Sequence, residues 1–303
     1  MNYRNYGTVR PVTLASLGGQ SLLESPNEED IPEIHAIINT FLDSGGVLMD
    51  TSPVYTYDGY ERLSEKRFGE VLPFRNRASF MIATKTEYRT MDDALRDLER
   101  SLDTLHLDYV DEWRLHHLND FDELDTIFSQ NGAIKAMERT LDEGLVLRPS
   151  ISGHSDPKVL LEALRRFPFQ SVLGAVNVAD RFIHSFQKEL IPYCNQNGIP
   201  FIGMKIAGKG ALLKKHGIDS FQDAFNYALS IPGVTTAIVG MSNLDQLHRL
   251  IECDEHFRQL GEHEMKRLEE RVESYAKEVL FFRKGEEWPD WAGNIFALKQ
   301  QVM

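Results

Sequence analysis

Four side chains of complementary chemistry stand at the ends of three successive apolar runs: Asp50 and Tyr55 in MDTSPVY, Lys85 in IATKT, and His116 in WRLHHL. Reducing a carbonyl requires a proton at oxygen as hydride reaches carbon. A phenol, with an ordinary pKa of about 10, is a weak donor at neutral pH. An ammonium beside it favours the phenolate and lowers that pKa, each unit being worth about 1.4 kcal/mol. A carboxylate would keep the ammonium charged in a partly buried site, and an imidazole could orient the carbonyl by hydrogen bonding. Singly, each residue has an ordinary reading: Asp50 a turn residue, Tyr55 a rim aromatic, Lys85 a solvated group, His116 a satisfied core histidine. As a set at three run ends, they are hard to ascribe to chance.

Something must hold these run ends together. Eight short apolar runs read as strands, at 14–17, 46–50, 80–84, 109–115, 149–152, 171–176, 200–204 and 236–240. Helical patterns lie between them. Ile34, Ile37, Ile38 and Phe41 share one face, Arg62 to Leu72 follows the second run, and Leu95, Leu98, Leu102 and Leu105 form a stripe. Thr90 and Asp93 read as a capping box ahead of that stripe. Ile134, Met137 and Leu141 mark the next helix, stopped at Gly144, where a left-handed cap favours glycine. Asp156 followed by Pro157 starts another, and helices near 184–196, 219–230 and 243–252 complete the series. Strands alternating with helices predict a parallel α/β sheet, and eight such units predict a closed (β/α)8 TIM barrel whose chemistry lies at the C-terminal strand ends. An added amphipathic helix is expected at 261–280, with Met265, Leu268, Val272, Tyr275 and Val279 on one face. The aromatic tail behind it, with Trp288, Trp291 and Phe296, either covers the pocket or docks on the barrel exterior. The expected organisation is one domain over residues 1–303, barrel to residue 260 and helix and tail over 261–303.

Bulk properties narrow the function. A net charge of -13 argues against nucleic acid, which demands clustered Lys and Arg. No apolar run approaches the roughly 18–20 residues of a membrane span, and the N-terminus has no hydrophobic leader region, so a cytoplasmic protein is expected. Cys194 and Cys253 stand far apart and read as buried small hydrophobes rather than metal ligands. The dinucleotide fingerprint G-x-G-x-x-G is missing: Gly208-x-Gly210 has Leu213 in the third glycine position, so a Rossmann fold is rejected.

In order and context, Asp50, Tyr55, Lys85 and His116 match the catalytic tetrad of the aldo-keto reductases, which the chain resembles over roughly residues 2–252. GGVLMDTSPVY, Ser64-Glu65-x-x-Phe68-Gly69, RPSISGHSD, GVTTAIVGMSNLDQL and the opening NYGTVRP…LGG carry the same resemblance. It implies reduction of an aldehyde, ketone or sugar-like carbonyl, or the reverse. Tyr55 would be the general acid/base, Lys85 and Asp50 would tune it, and His116 would orient the carbonyl. Ser152 and Asn177 would contact the nicotinamide carboxamide, and Met204 would lie under the ring where many members place a tyrosine. Gly153 stands where the family has asparagine. Lys205, Gly208 and Lys209 would pass the pyrophosphate. Met241, Ser242, Asn243, Gln246 and Arg249 would meet the adenosine end, with fewer basic residues than many NADP-dependent relatives have. NADP(H) is the expected cofactor, with NAD(H) close behind. The segment 56–63 is longer than in many members and holds Tyr57 and Tyr60. Arg114 shares the inward face of His116 and is expected in an ion pair with Asp50 or Glu112, whereas His117 is expected to face away from the barrel axis. The potassium-channel β-subunits resemble the same fold, which leaves a cofactor-binding regulatory subunit as the alternative.

Overall fold

The computed structural model describes residues 1–214 and 217–280. Trp288, Trp291 and Phe296 lie outside the described residues. All eight expected strands form, as a closed parallel barrel: β3 (Ala15–Ser21), β4 (Leu48–Asp50), β5 (Met81–Thr86), β6 (Val110–Leu115), β7 (Val146–Gly153), β8 (Ser171–Ala175), β9 (Phe201–Met204) and β10 (Val234–Met241). β10 pairs with β3 to close the ring. Two further strands, β1 (Tyr3–Tyr6) and β2 (Val9–Thr13), form an antiparallel hairpin that turns at Gly7, where φ is +66°. The hairpin brings buried Tyr6 against the barrel floor, where the Arg148 guanidinium stacks 4.6 Å over its ring. Sequence reading missed it because VRPVT has no continuous apolar run and carries a proline, which belongs to strand edges.

Two apolar cores form. The larger fills the space between strands and helices and includes Trp113 and Leu115, the outward residues of β6. The smaller lies inside the barrel and contains Tyr6, Val12, Val47, Leu48, Met81, Leu173 and Ile202. Alternation along β6 sends Glu112 and Arg114 the other way, into the interior. Above an apolar floor, the barrel therefore carries a charged layer beneath the strand ends.

The helices follow the expected faces, with Asp156 capping the Lys158 N–H and Pro157 in the first turn of Pro157–Arg166. Gly144, at φ +73°, ends Ala133–Asp142. Two local expectations fail. The Thr90 hydroxyl bonds the Asp93 carboxylate at 2.6 Å instead of a backbone N–H, so no capping box forms. The added helix is not continuous: Glu262–Val272 gives way to a 3-10 turn at Glu273–Tyr275 and a short helix at Ala276–Val279. Its first part is tied to the barrel by Glu269, which accepts from Tyr227 Oη at 2.7 Å. Cys194 and Cys253 are both buried, with their thiols pushed up to about 12 and about 11 by burial. Among the described residues, no helix is long and apolar enough to cross a membrane.

Candidate active site

The site is built on register. Lys85 of β5 stands opposite Arg114 of β6, and Asp50 of β4 stands opposite Ala83 of β5. Both inward cations therefore reach the same carboxylate. Lys85 Nζ donates to Asp50 Oδ2 at 2.6 Å and to the Thr51 carbonyl at 2.6 Å, while Arg114 donates to Asp50 Oδ1. The second fork of Arg114 bonds Glu112, which also accepts from Ser171 Oγ at 3.0 Å. The ion pair expected for Arg114 thus forms with both Asp50 and Glu112. Removing one partner from such a buried set is costly, because the remaining charge stays in a low-dielectric interior.

Tyr55 follows β4 in a turn, its N–H bonded to the Ser52 carbonyl at 3.0 Å. The Tyr55 carbonyl in turn accepts from Ser64 N at 3.0 Å, and Ser64 Oγ meets Thr51 Oγ1 at 2.8 Å. The helix Leu63–Gly69 is itself pinned where Gly69 meets helix Met91–Leu105: a Cβ there would come within 2.2 Å of the Thr104 carbonyl oxygen. The long segment before it folds away from the site. Gly59 turns at φ +80°, and Tyr57 and Tyr60 stay 43% and 51% exposed. Arg62 closes the segment through Glu65, Ser101 and Asp97.

Lys85 Nζ lies 4.3 Å from the centroid of the Tyr55 ring, and the His116 ring stands edge-on at 6.0 Å. The structure thus brings Asp50, Tyr55, Lys85 and His116 together. The electrostatics differ from the sequence expectation. Burial raises the Tyr55 pKa well above its usual value, Asp50 and Glu24 add to this, and Arg114 opposes it. The phenol therefore keeps its proton. Burial also lowers Lys85 to about 8 despite the attraction of Asp50. His116 is held well below the usual imidazole range by burial and then by His117, so it is neutral.

His117 does not face away from the site. Its backbone adopts φ +55°, which breaks the strand alternation and sets its ring 3.8 Å from His116 and 4.6 Å from His154. Burial, with Lys205 and Lys85 nearby, lowers its pKa to about 4. Glu87 Oε1 lies 3.2 Å from His116 Nδ1, and Arg89 clamps the His116 carbonyl while pairing with Glu123. Glu24, Glu87, Arg89 and His154 were not singled out from sequence. Only His154 carried a signal, as the residue after Gly153 where the motif departs from its pattern.

A nicotinamide cofactor was expected further round the barrel, and several residues fit one. Ser152 is fully buried at the end of β7, and its hydroxyl has no hydrogen-bond partner within the protein. Asn177 lies close to the next strand end, but its side chain is partly engaged: Oδ1 accepts from Ala179 N at 2.9 Å and Nδ2 donates to the Lys205 carbonyl at 3.1 Å. Met204 is half-buried at the end of β9. Beyond it Lys205, Gly208, Lys209 and Gly210 all have positive φ, between +54° and +87°. Gly208 is required there twice over, since a Cβ would also meet Val279 at 2.6 Å. Lys205 is lowered to about 7 by burial and then by Lys209. Among the residues expected to meet the adenosine, Met241 is buried, whereas Ser242, Asn243 and Gln246 form a half-buried turn closed by Asn243 Oδ1, which accepts from Gln246 N at 2.9 Å. Arg249 is exposed.

Comparison with known proteins agrees with the fold. The sequence profile of the Aldo/keto reductase family matches residues 14–219. No curated protein sequence matches the chain. Among solved structures, the holo form of an aldo-keto reductase from Bacillus halodurans is similar with a TM-score of 0.73 at 21% identity, covering 89% of this chain and 96% of its own. A thermostable aldo-keto reductase in complex with the inhibitor epalrestat gives 0.71 at 24% identity, covering 89% and 100%. One from Klebsiella pneumoniae, in complex with NADPH, gives 0.71 at 20% identity, covering 89% and 95%. At these identities the structural likeness speaks for the fold.

Proposed function

The chain belongs to the aldo/keto reductase family, and on that premise we propose that it reduces an aldehyde, ketone or sugar-like carbonyl with NADP(H), or NAD(H), using Tyr55 as proton donor. The reading rests above all on one observation: Lys85 lies 4.3 Å from the centre of the Tyr55 ring while its ammonium holds Asp50 at 2.6 Å. The NADPH bound to the Klebsiella pneumoniae relative supports the choice of cofactor. One domain would carry both the cofactor and the carbonyl.

When bound, the nicotinamide would supply the hydride. Ser152, with its unsatisfied buried hydroxyl, would hold the carboxamide beside Asn177, Met204 would pack on the ring, and the Lys205–Lys209 loop would hold the pyrophosphate. The neutral imidazole of His116 would donate one N–H to the carbonyl oxygen. A phenol held protonated gives up its proton only as negative charge grows on that oxygen. The phenolate left behind would lie beside the Lys85 and Arg114 cations, whose field is fixed in advance. In the reverse direction the same phenolate would take the proton back from the alcohol.

The test is steady-state oxidation of NADPH and NADH with a panel of aldehydes, ketones and aldoses. Turnover on at least one carbonyl class is the expected result. Tight cofactor binding without turnover on any of them would favour the regulatory-subunit reading instead.

A further inference from the structure

Glu87, His116 and His117 each offer one ligand atom, and these three atoms lie within 4.8 Å of one another at the carbonyl end of the barrel. We propose that this trio is a divalent-cation site of the kind zinc takes, and that filling it blocks the reductase by capturing His116. The blocking rests on the function proposed above; the binding does not.

The geometry of His116 points to an ion. The residue is 2% exposed and its Nδ1 makes no hydrogen bond, although Glu87 Oε1 lies only 3.2 Å away. Two atoms that close, without the alignment of a donor and an acceptor, are placed as two ligands of one metal would be. With zinc–ligand bonds of about 2.0–2.1 Å, tetrahedral ligands stand roughly 3.3 Å apart. His117 supplies the third atom only because its backbone takes φ +55°, a conformation that disfavours any side chain bearing a Cβ. Strained backbone of this kind collects at functional sites. The neighbouring His154 ring, 4.6 Å away, buttresses the His117 ring.

The donor set selects the cation. Two imidazole nitrogens and one carboxylate oxygen form an open three-ligand set that zinc uses elsewhere, leaving a fourth position for water. Calcium and magnesium prefer oxygen-only surroundings. The Glu87 side chain is 46% exposed, so an ion can enter without the barrel opening. Two of the surrounding cations are already matched by carboxylates, Lys85 by Asp50 and Arg89 by Glu123. The Lys205 ammonium repels positive charge at His117 and weakens the site. A micromolar rather than nanomolar affinity follows.

The experiment titrates chelator-stripped full-length protein with zinc chloride at fixed pH, reading binding by calorimetry and, separately, NADPH oxidation. One equivalent should bind with a Kd of about 1–50 µM. Glu87→Gln and His117→Gln should each weaken binding by about tenfold or more and keep the melting temperature, with zinc inhibition of each variant scored against its own zinc-free turnover. Zinc should inhibit wild type competitively with the carbonyl and be reversed by chelator. Zinc binding in a chain that turns over no carbonyl would support the site while removing the proposed reaction. No binding at about 1 mM zinc, or binding undiminished in both variants, would overturn the site.

Discussion

At the carbonyl end, opposite charges are matched inside the barrel: Lys85 and Arg114 divide Asp50, and Arg114 passes on to Glu112. The loop after β9 is built differently. Lys205 and Lys209 sit in left-handed backbone at φ +55° and +54°, close to Gly208 and Gly210; burial and then Lys209 lower the Lys205 pKa, and burial lowers Lys209 against the attraction of Glu24. The Lys85, Arg114, Asp50 and Glu112 charges of the first region are paired without a ligand, so their field is ready before a substrate arrives. The second sets two lysines in a costly backbone conformation with Glu24 attracting Lys209, and a bound anion would ease the repulsion felt by Lys205. The proposed chemistry would use the first kind of site and the proposed cofactor exchange the second.

The largest expected effect falls on the finished end. Tyr55→Phe keeps the ring beside Lys85 but removes the proton, so kcat should fall by about 10²–10⁴-fold with cofactor affinity unchanged. Tyr57→Phe and Tyr60→Phe, on the exposed segment, should stay within about twofold of wild type. Loss of turnover in either of those two, with Tyr55→Phe active, would move the acid out of the paired cluster and dissolve the contrast.

How far these two regions were legible differs for the same physical reasons. The eight strands and the quartet Asp50, Tyr55, Lys85 and His116 are local: each follows from an apolar run and what ends it. His117 was misplaced because strand alternation stops applying one residue past β6, where φ turns positive. The fate of Tyr55 was inverted, since a neighbouring ammonium is visible in sequence but the burial that outweighs it is not. The break at Val272 leaves the apolar spacing of the added helix intact, so periodicity could not reveal it. Glu24, which attracts Lys209, and Glu33, which accepts from the Leu244 N–H, act across more than 180 residues of chain, beyond the reach of any local pattern.

A smaller effect is expected at Lys205. With its pKa near 7, the ammonium is charged below that pH and neutral above it. A bound pyrophosphate stabilises the charged form and raises the pKa, so cofactor affinity should be greatest below about pH 7 and fall as pH rises. Across two pH units above the free value the loss should approach, and not exceed, about a hundredfold. Fluorescence titration of NADPH from pH 6 to 9 reads it directly, and Lys205→Gln should flatten the curve. A wild-type affinity independent of pH would mean that Lys205 does not titrate against the cofactor between pH 6 and 9.

The smallest effect concerns the adenosine end. Leu244 N, in the first turn of the helix Leu244–Glu255, donates to Glu33 Oε1 at 2.9 Å. A carboxylate therefore already stands where the helix dipole and its N–H groups would favour a 2′-phosphate. The neighbouring donors are engaged as well, Ser242 N by Gln246 Oε1 and Gln246 N by Asn243 Oδ1, both at 2.9 Å. Between residues 241 and 250 the sequence offers only Arg249 as a fixed cation. Glu33 is exposed, so water and salt screen its repulsion, and discrimination between NADPH and NADH should stay below about 100-fold, or about 2.7 kcal/mol. Glu33→Gln removes the charge but keeps an acceptor for the Leu244 N–H. It should shift the ratio of kcat/KM values toward NADPH by about three- to tenfold, with the shift fading at high salt and kcat unaltered. A thousandfold preference for NADPH in wild type would reveal a phosphate clamp that these residues do not make, and an unchanged ratio in Glu33→Gln would place the 2′-phosphate away from this helix.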